Sequence, residues 1–307
     1  MKRQRGVALL IAILAVALAA LLVAALLETG EDARARTRNT LRAEQAHAYA
    51  LGLEAWAIEL LRRDAAEGPG FDSHASAWAQ DLPPLPVPGG RVTGALRDRN
   101  GCLNLNDLVV DGQPQPVPRQ RLERLLEVLG LDLAIAAQVV DWIDIDSTPE
   151  SGGAEDLQYL LERPPYRAAN RPFVHVSELR LLRAVNGEVY QRLRPHVCAL
   201  PAPGPEINVN TASVPVLMAL DPAITEPVAR RLHQDGRARF SSVEDFKQAL
   251  ARAGVELPQM PIGIGVRSTH FVARADILID DLPIVWYSLV QRDGQQVAVH
   301  WRTQSDD

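Results

Sequence analysis

Positions 7–27 are apolar without interruption, close to the roughly 20 residues an α-helix needs to cross the hydrocarbon core of a bilayer. Lys2, Arg3 and Arg5 precede the run, and Glu28, Glu31 and Asp32 follow it. The positive-inside rule then places the start of the chain in the cytoplasm and the remainder outside. A cleaved secretory signal has a shorter apolar region ending in a small-residue site, whereas this run ends on Glu28 with no A-x-A-like site before it. The pattern predicts a retained, single-pass anchor. Beyond it, Tyr49, Leu53, Trp56 and Leu60 recur at the spacing of one helix face, and the first proline is Pro69. A continuous helix over 7–63 is expected, about 85 Å long at 1.5 Å per residue, with Gly30 and Gly52 as its weak points. A tether needs only the first part. The amphipathic remainder must pack on this chain's own folded region or on a neighbouring subunit.

The period changes after residue 63. Residues 64–90, including LPPLPVPGG, are rich in Pro, Gly, Asp and Ser and read as a connection. Residues 91–98 (RVTGALRD) and 270–278 (HFVARADIL) read as strands, and 285–302 read as two strands joined across Asp293 and Gly294. Between them the pattern is helical. Leu122, Leu125, Leu126 and Leu129 form a stripe ending at Gly130, and Ile135, Val139 and Trp142 form the next. Ser241 stands three residues before Glu244, a capping-box spacing, in a helix that closes at Gly254. The prediction is an α+β fold: a long N-terminal helix packed on a small antiparallel sheet, with a large helical subdomain inserted into the sheet.

Within the insertion, Asn104-Leu-Asn106 and Asn208-Val-Asn210 each precede a helical pair, an echo similar to tandem helix-hairpin-helix or SAM-like units. Such hairpins usually bind DNA, so a membrane-anchored DNA-uptake protein is the alternative function. DNA-binding hairpins offer glycine amides and cations to phosphate. The hairpins here, EVLGLDLA and LMALDPAITEP, put an aspartate near the turn and lack the glycine pair. The asparagines read more simply as caps and turn formers. Net charge is −6 with no strongly basic block after the anchor, so no nucleic-acid partner is expected. The seven histidines are scattered, and neither a Gly-x-Ser-x-Gly elbow nor a Gly-rich phosphate loop occurs. No enzyme is expected. The two cysteines, Cys102 and Cys198, lie in the exported part, where an oxidising compartment permits them to pair.

The densest chemistry is DWIDIDSTPESGGAEDLQY at 141–159, which gathers Asp141, Asp144, Asp146, Glu150, Glu155 and Asp156. Six acids this close repel unless something intervenes. Calcium takes six to eight oxygen ligands in irregular geometry, and a glycine-bearing loop can wrap it. The spacing is not that of an EF-hand. A solvated acidic loop, with Asp146 and Ser147 as turn formers, is the plainer alternative.

A short basic leader ending in glycine, followed directly by an apolar helix that turns amphipathic, resembles the N-terminus of type IV pilins and pseudopilins. The fifth residue after that glycine is Ile11 rather than the family's usual glutamate. That departure, with NLNDL at 104–108, DWIDID at 141–146, PPYRAAN at 164–170, VSEL at 176–179 and INVNTA at 207–212, is similar to the general secretion pathway protein K family, minor pseudopilins of type II secretion. The resemblance implies cleavage between Gly6 and Val7 by a prepilin peptidase and methylation of the new amine. It implies calcium in the acidic region, where Asp144, Asp146, Glu155 and Asp156 are the expected ligands. It also implies minor pseudopilins I and J as partners, inner-membrane lipid before assembly, and a place at the tip of a periplasmic pseudopilus. The expected division is leader 1–6, helix 7–63, linker and first strands 64–106, inserted helical subdomain 107–265 and C-terminal strands 266–307.

Overall fold

The computed structural model describes residues 4–280 and 282–304. Helix α1, Gln4–Glu67, runs unbroken through Gly30 and Gly52, about 96 Å at 1.5 Å per residue. It is the one helix among the described residues long and apolar enough to cross a membrane. Its apolar stretch is uncovered among the described residues: Leu14 is 72% exposed and Leu26 71%.

The second half lies on a five-stranded antiparallel sheet. The strands are β1 (Leu82–Val87), β2 (Gly90–Asp98), β3 (His270–Ile279), β4 (Leu282–Asp293) and β5 (Gln296–Thr303), in that spatial order. β2, β3, β4 and β5 fall where alternation predicts them. β1 lies inside the stretch read as a connection. Its three prolines cannot donate to a ladder, which confines such a strand to an edge, and β1 is the edge strand, with an irregular register between Leu82 and Leu85.

The helix face differs from the predicted one by a small rotation. Ala46, Ala50, Leu53, Ala57 and Leu61 are buried against the sheet, while Tyr49, Trp56 and Leu60 flank them and are only partly covered. Small residues let helix and sheet approach closely. Opposite Leu53, a Cβ on Gly94 would sit 2.1 Å from a Leu53 methyl, so any larger residue at that place in β2 would force Leu53 to shift.

Charged contacts repeat along the same junction. Arg42 pairs with Asp280 at 2.8 Å, and Glu54 takes Arg302 at 2.8 Å and the Ser288 hydroxyl at 2.7 Å. At the end of α1, the nearly inaccessible Arg292 of β4 donates to Asp64 at 2.7 Å, to Asp72 at 2.5 Å and to the Ser268 carbonyl at 2.7 Å. Asp72 also accepts from the Trp78 indole and the Ser268 amide. One guanidinium thus ties together the helix, the connection behind it and the return from the insertion.

The chain leaves the sheet after Asp98 and rejoins it at His270. The excursion has one continuous core and contains α2 (Pro116–Val128), α3 (Ala134–Ile143), a single turn α4 (Asp156–Tyr159), α5 (Gly187–Leu193), α6 (Val214–Leu220), α7 (Glu226–His233) and α8 (Val243–Arg252). The stripes predicted on α2 and α3 are buried, with Leu129 partly so. The cap of α8 is Ser242, which accepts from the Asp245 amide, one place later than the Ser241 spacing suggests.

The asparagine echo marks two like-built units. In the first, Leu103–Asn104 pairs in parallel with Val197–Cys198; in the second, Ile207–Asn208 pairs in parallel with Ile264–Gly265. Asn104 accepts from the Asn106 amide, and Asn208 accepts from the Asn210 amide. The Asn106 side chain donates to the Phe173 carbonyl and accepts from the Phe173 amide; Asn210 does both with Phe240. All four asparagines are buried. Each carboxamide acts as a piece of backbone, satisfying groups that would be costly to bury alone. A disulfide joins Cys102 to Cys198 beside the first short pair, with Cα atoms 5.8 Å apart.

Candidate metal centre

The acidic stretch begins in the last turn of α3. Asp141 is fully buried, and its two oxygens accept from the Glu150 amide at 3.1 and 3.2 Å. This folds the loop back onto the helix. Gly153 makes the return possible, because a Cβ there would lie 1.9 Å from an Asp141 oxygen. Glu150 in turn pairs with Arg119 of α2. Asp156 accepts from the Ala168 amide at 3.0 Å and faces Arg167 at 3.7 Å. Asp141, Glu150 and Asp156 are therefore directed to partners elsewhere in the chain.

The other three face one another. Asp144, just past α3, Asp146 and Glu155, just before α4, each bring one carboxylate oxygen within 4.8 Å of the others. Asp144 is 7% exposed and Glu155 3%, yet one oxygen of Asp144 and both of Glu155 have no hydrogen-bond partner. The Gln158 side chain accepts from the Glu155 amide at 3.0 Å and leaves the Glu155 carboxylate unmatched. Asp146 is exposed and accepts from the Thr148 amide at 2.7 Å. Burial, reinforced by Asp146, Asp141 and Glu150, pushes Asp144 up to about 6. Burial, reinforced by Asp141, Asp144, Asp146 and Asp156, pushes Glu155 up to about 7.

Buried carboxylates without donors are costly, and a cation removes that cost. Two oxygens on one calcium ion, each 2.3–2.6 Å from it, stand no more than about 5 Å apart, and the observed spacing meets this limit. The all-oxygen donor set suits a hard cation and not zinc or copper. Of the four acids the sequence singles out, the structure brings together Asp144, Asp146 and Glu155, with Asp156 turned to other partners.

The remaining expected sites are placed as follows. Gly6 and Val7 lie in the first turns of α1, with Val7 exposed; residues 1–3 of the basic leader are outside the described residues. The DNA-binding alternative finds no support. The turn acids Asp132 and Asp221 accept from the amides of Ala134 and Ala223, so those hairpins present carboxylates at the turn where phosphate would need donors.

Residues 101–202 and 207–267 match two family models, both described as type II secretion system protein K, and the two matches coincide with the two asparagine-built units. Type II secretion system protein K of Pseudomonas aeruginosa is 38% identical over 95% of this chain and 90% of its own length. The protein of the same description from Klebsiella pneumoniae is 36% identical over 97% and 95%. A crystal structure of the GspK-GspI-GspJ complex from the enterotoxigenic Escherichia coli type 2 secretion system superposes with a TM-score of 0.75 at 27% identity, covering 89% of this chain and all of that one. With relatives this similar along nearly their whole length, and both halves of the insertion matched, the chain belongs to the type II secretion system protein K family.

Proposed function

We propose that this chain is the minor pseudopilin that caps a periplasmic pseudopilus, where it assembles with I- and J-type pseudopilins, and that its work is assembly and not catalysis. The likeness to a whole chain solved within a K–I–J complex carries this reading. The exposed apolar half of α1 supports it, since that surface needs cover. Inner-membrane lipid covers it in a single-pass protein before assembly, and apolar helices of neighbouring subunits do so afterwards. Ile11 adds no carboxylate to such a helix bundle, where an unpaired charge costs several kcal/mol, and a terminal subunit has no earlier amine to match. Co-expression with I and J homologues tests the assignment. The three are expected to purify together from detergent extracts, and recovery of this chain free of both partners would sink the proposal.

Processing follows from the same reading. The mature protein is expected to begin at Val7 with a methylated amine, because a peptidase at the membrane face needs access to the backbone at Gly6. Mass spectrometry of membrane-extracted protein reads both changes. Gly6→Val should retain the leader, and normal processing of that variant would count against the pilin-like route.

The acidic triad is assigned to calcium, held by Asp144, Asp146 and Glu155 with further oxygens from backbone or water. A ligand that binds only the folded state stabilises it by about 2.7 kcal/mol at a hundredfold excess over Kd. Melting midpoints of the full chain are expected to be higher with calcium than with a chelator. The double variant Asp144→Asn, Glu155→Gln should lose that difference. Equal midpoints for the unaltered chain under both conditions would favour a solvated acidic loop.

A further inference from the structure

A cavity of 380 Å³ opens where the two asparagine-built units meet, within the size range of small-molecule sites, which favour such junctions. Leu103, Val110 and Val117 line it from the first unit, Leu200 and Pro203 from the connecting segment, and Ile262 from the end of the second. The walls are chiefly apolar, but a cation stands among them. Arg121 of α2 lines the cavity and is 8% exposed. Its Nη2 donates to the Ile262 carbonyl, while its Nε has no partner. No ion pair with Arg121 is found among the described residues. The acid that acts on it through space, Asp107, spends one oxygen on the Gly204 amide at 2.6 Å and the Asn104 carboxamide at 2.9 Å.

A buried guanidinium without a carboxylate is an incomplete arrangement, since its planar donors are matched best by a two-oxygen anion. The cavity walls decide which anion. Asp107 and Glu206 also line the space, so a doubly charged phosphate would meet about twice the repulsion that a singly charged carboxylate meets. The aliphatic and proline walls favour an apolar body behind it. We propose that this cavity binds a small aliphatic monocarboxylate, free or as the carboxyl end of a peptide, with Arg121 holding the carboxylate. The site stands apart from the acidic triad and depends neither on calcium nor on placement at a fibre tip.

The test uses full-length protein in mild detergent and saturation-transfer NMR titrations with 4-methylpentanoate, its neutral amide, and the tripeptide acetyl-Ala-Pro-Leu with a free carboxyl end. The acid is expected to bind saturably and at least tenfold more tightly than the amide. Arg121→Met should lose tenfold or more for the acid and leave the amide unchanged. Val117→Phe, which fills space and leaves the guanidinium in place, should weaken both and keeps the test decisive if Arg121→Met fails to fold. Tighter binding of the tripeptide identifies a chain end as the ligand, and equal or tighter binding of 4-methylpentanoate identifies a free acid; either supports the site. Equal affinity for acid and amide, acid binding untouched by either variant, or no saturable binding by acid or tripeptide would overturn it.

Discussion

Arg292→Met is expected to lower the unfolding free energy by about 3–5 kcal/mol, the range for breaking a buried ion pair by removing one partner. The size follows from what the substitution leaves behind. Asp64 and Asp72 have side chains 9% and 2% exposed, and both depend on the same guanidinium. Asp72 would keep the Trp78 indole and the Ser268 amide, but Asp64 would lose its ion pair. Burial, with Asp72 adding to it, already raises the Asp64 pKa. Methionine keeps an apolar stem of similar length but removes the guanidinium whose carbon lies 5.0 Å from the Phe271 ring centroid, so the loss includes that cation–π contact as well as the ion pairs. Urea melts of the full chain in mild detergent measure it. Adding Asp64→Asn and Asp72→Asn to Arg292→Met should recover part of the loss, because the stranded charges are then gone. A midpoint unmoved by Arg292→Met would mean that water reaches this cluster.

The long helix was legible because two different periods meet in one unbroken stretch: a run greasy all round, then apolar residues on one face. What the pattern could not show was which residues sit at the centre of that face. Tyr49, Trp56 and Leu60 carry the stronger hydrophobic signal, but Ala46, Ala50 and Ala57 take the middle. Close approach to a sheet selects for small volume there, and hydrophobicity scales do not register it. β1 was illegible for a related reason. Proline argues against a strand in general, and only knowledge of the spatial order reveals an edge that tolerates it. The asparagine repeats could be read as turn formers, but their pairing with Phe173 and Phe240 spans 67 and 30 residues, beyond the reach of any local pattern. At the acidic site, composition alone could rank the acids but could not separate Asp156 from Glu155. The two are adjacent in sequence and differ only in direction, one meeting the Ala168 amide and the other left without a donor.

Replacing both Cys102 and Cys198 with serine is expected to lower stability by about 4–5 kcal/mol, the chain-entropy value for a loop of roughly a hundred residues. The bond spans a sequence separation of 96 and stands at the mouth of the first unit, beside the two-residue pairing of Leu103–Asn104 with Val197–Cys198. Two residues of parallel ladder are a weak clasp on their own. The second unit closes its own two-residue pairing, Ile207–Asn208 with Ile264–Gly265, without a disulfide. It encloses a shorter stretch of chain, and closing a shorter loop costs less entropy. Asn208 also reaches outside its unit, donating to the Asp72 carbonyl and the Ser268 hydroxyl. The first unit has the longer loop to close, and the covalent link offsets that cost by restricting the unfolded chain. Two measurements separate this from general damage. Reduced wild-type protein and the double serine variant should melt alike, and limited proteolysis of either should first cut within residues 103–197 while the contact of α1 with the sheet stays protected. Thiol labelling under denaturing, non-reducing conditions should find no free cysteine in the unaltered chain. If reduction leaves the melting midpoint where it was, the first unit is closed by its buried asparagines and core, and the disulfide merely records that the two sulfurs are near.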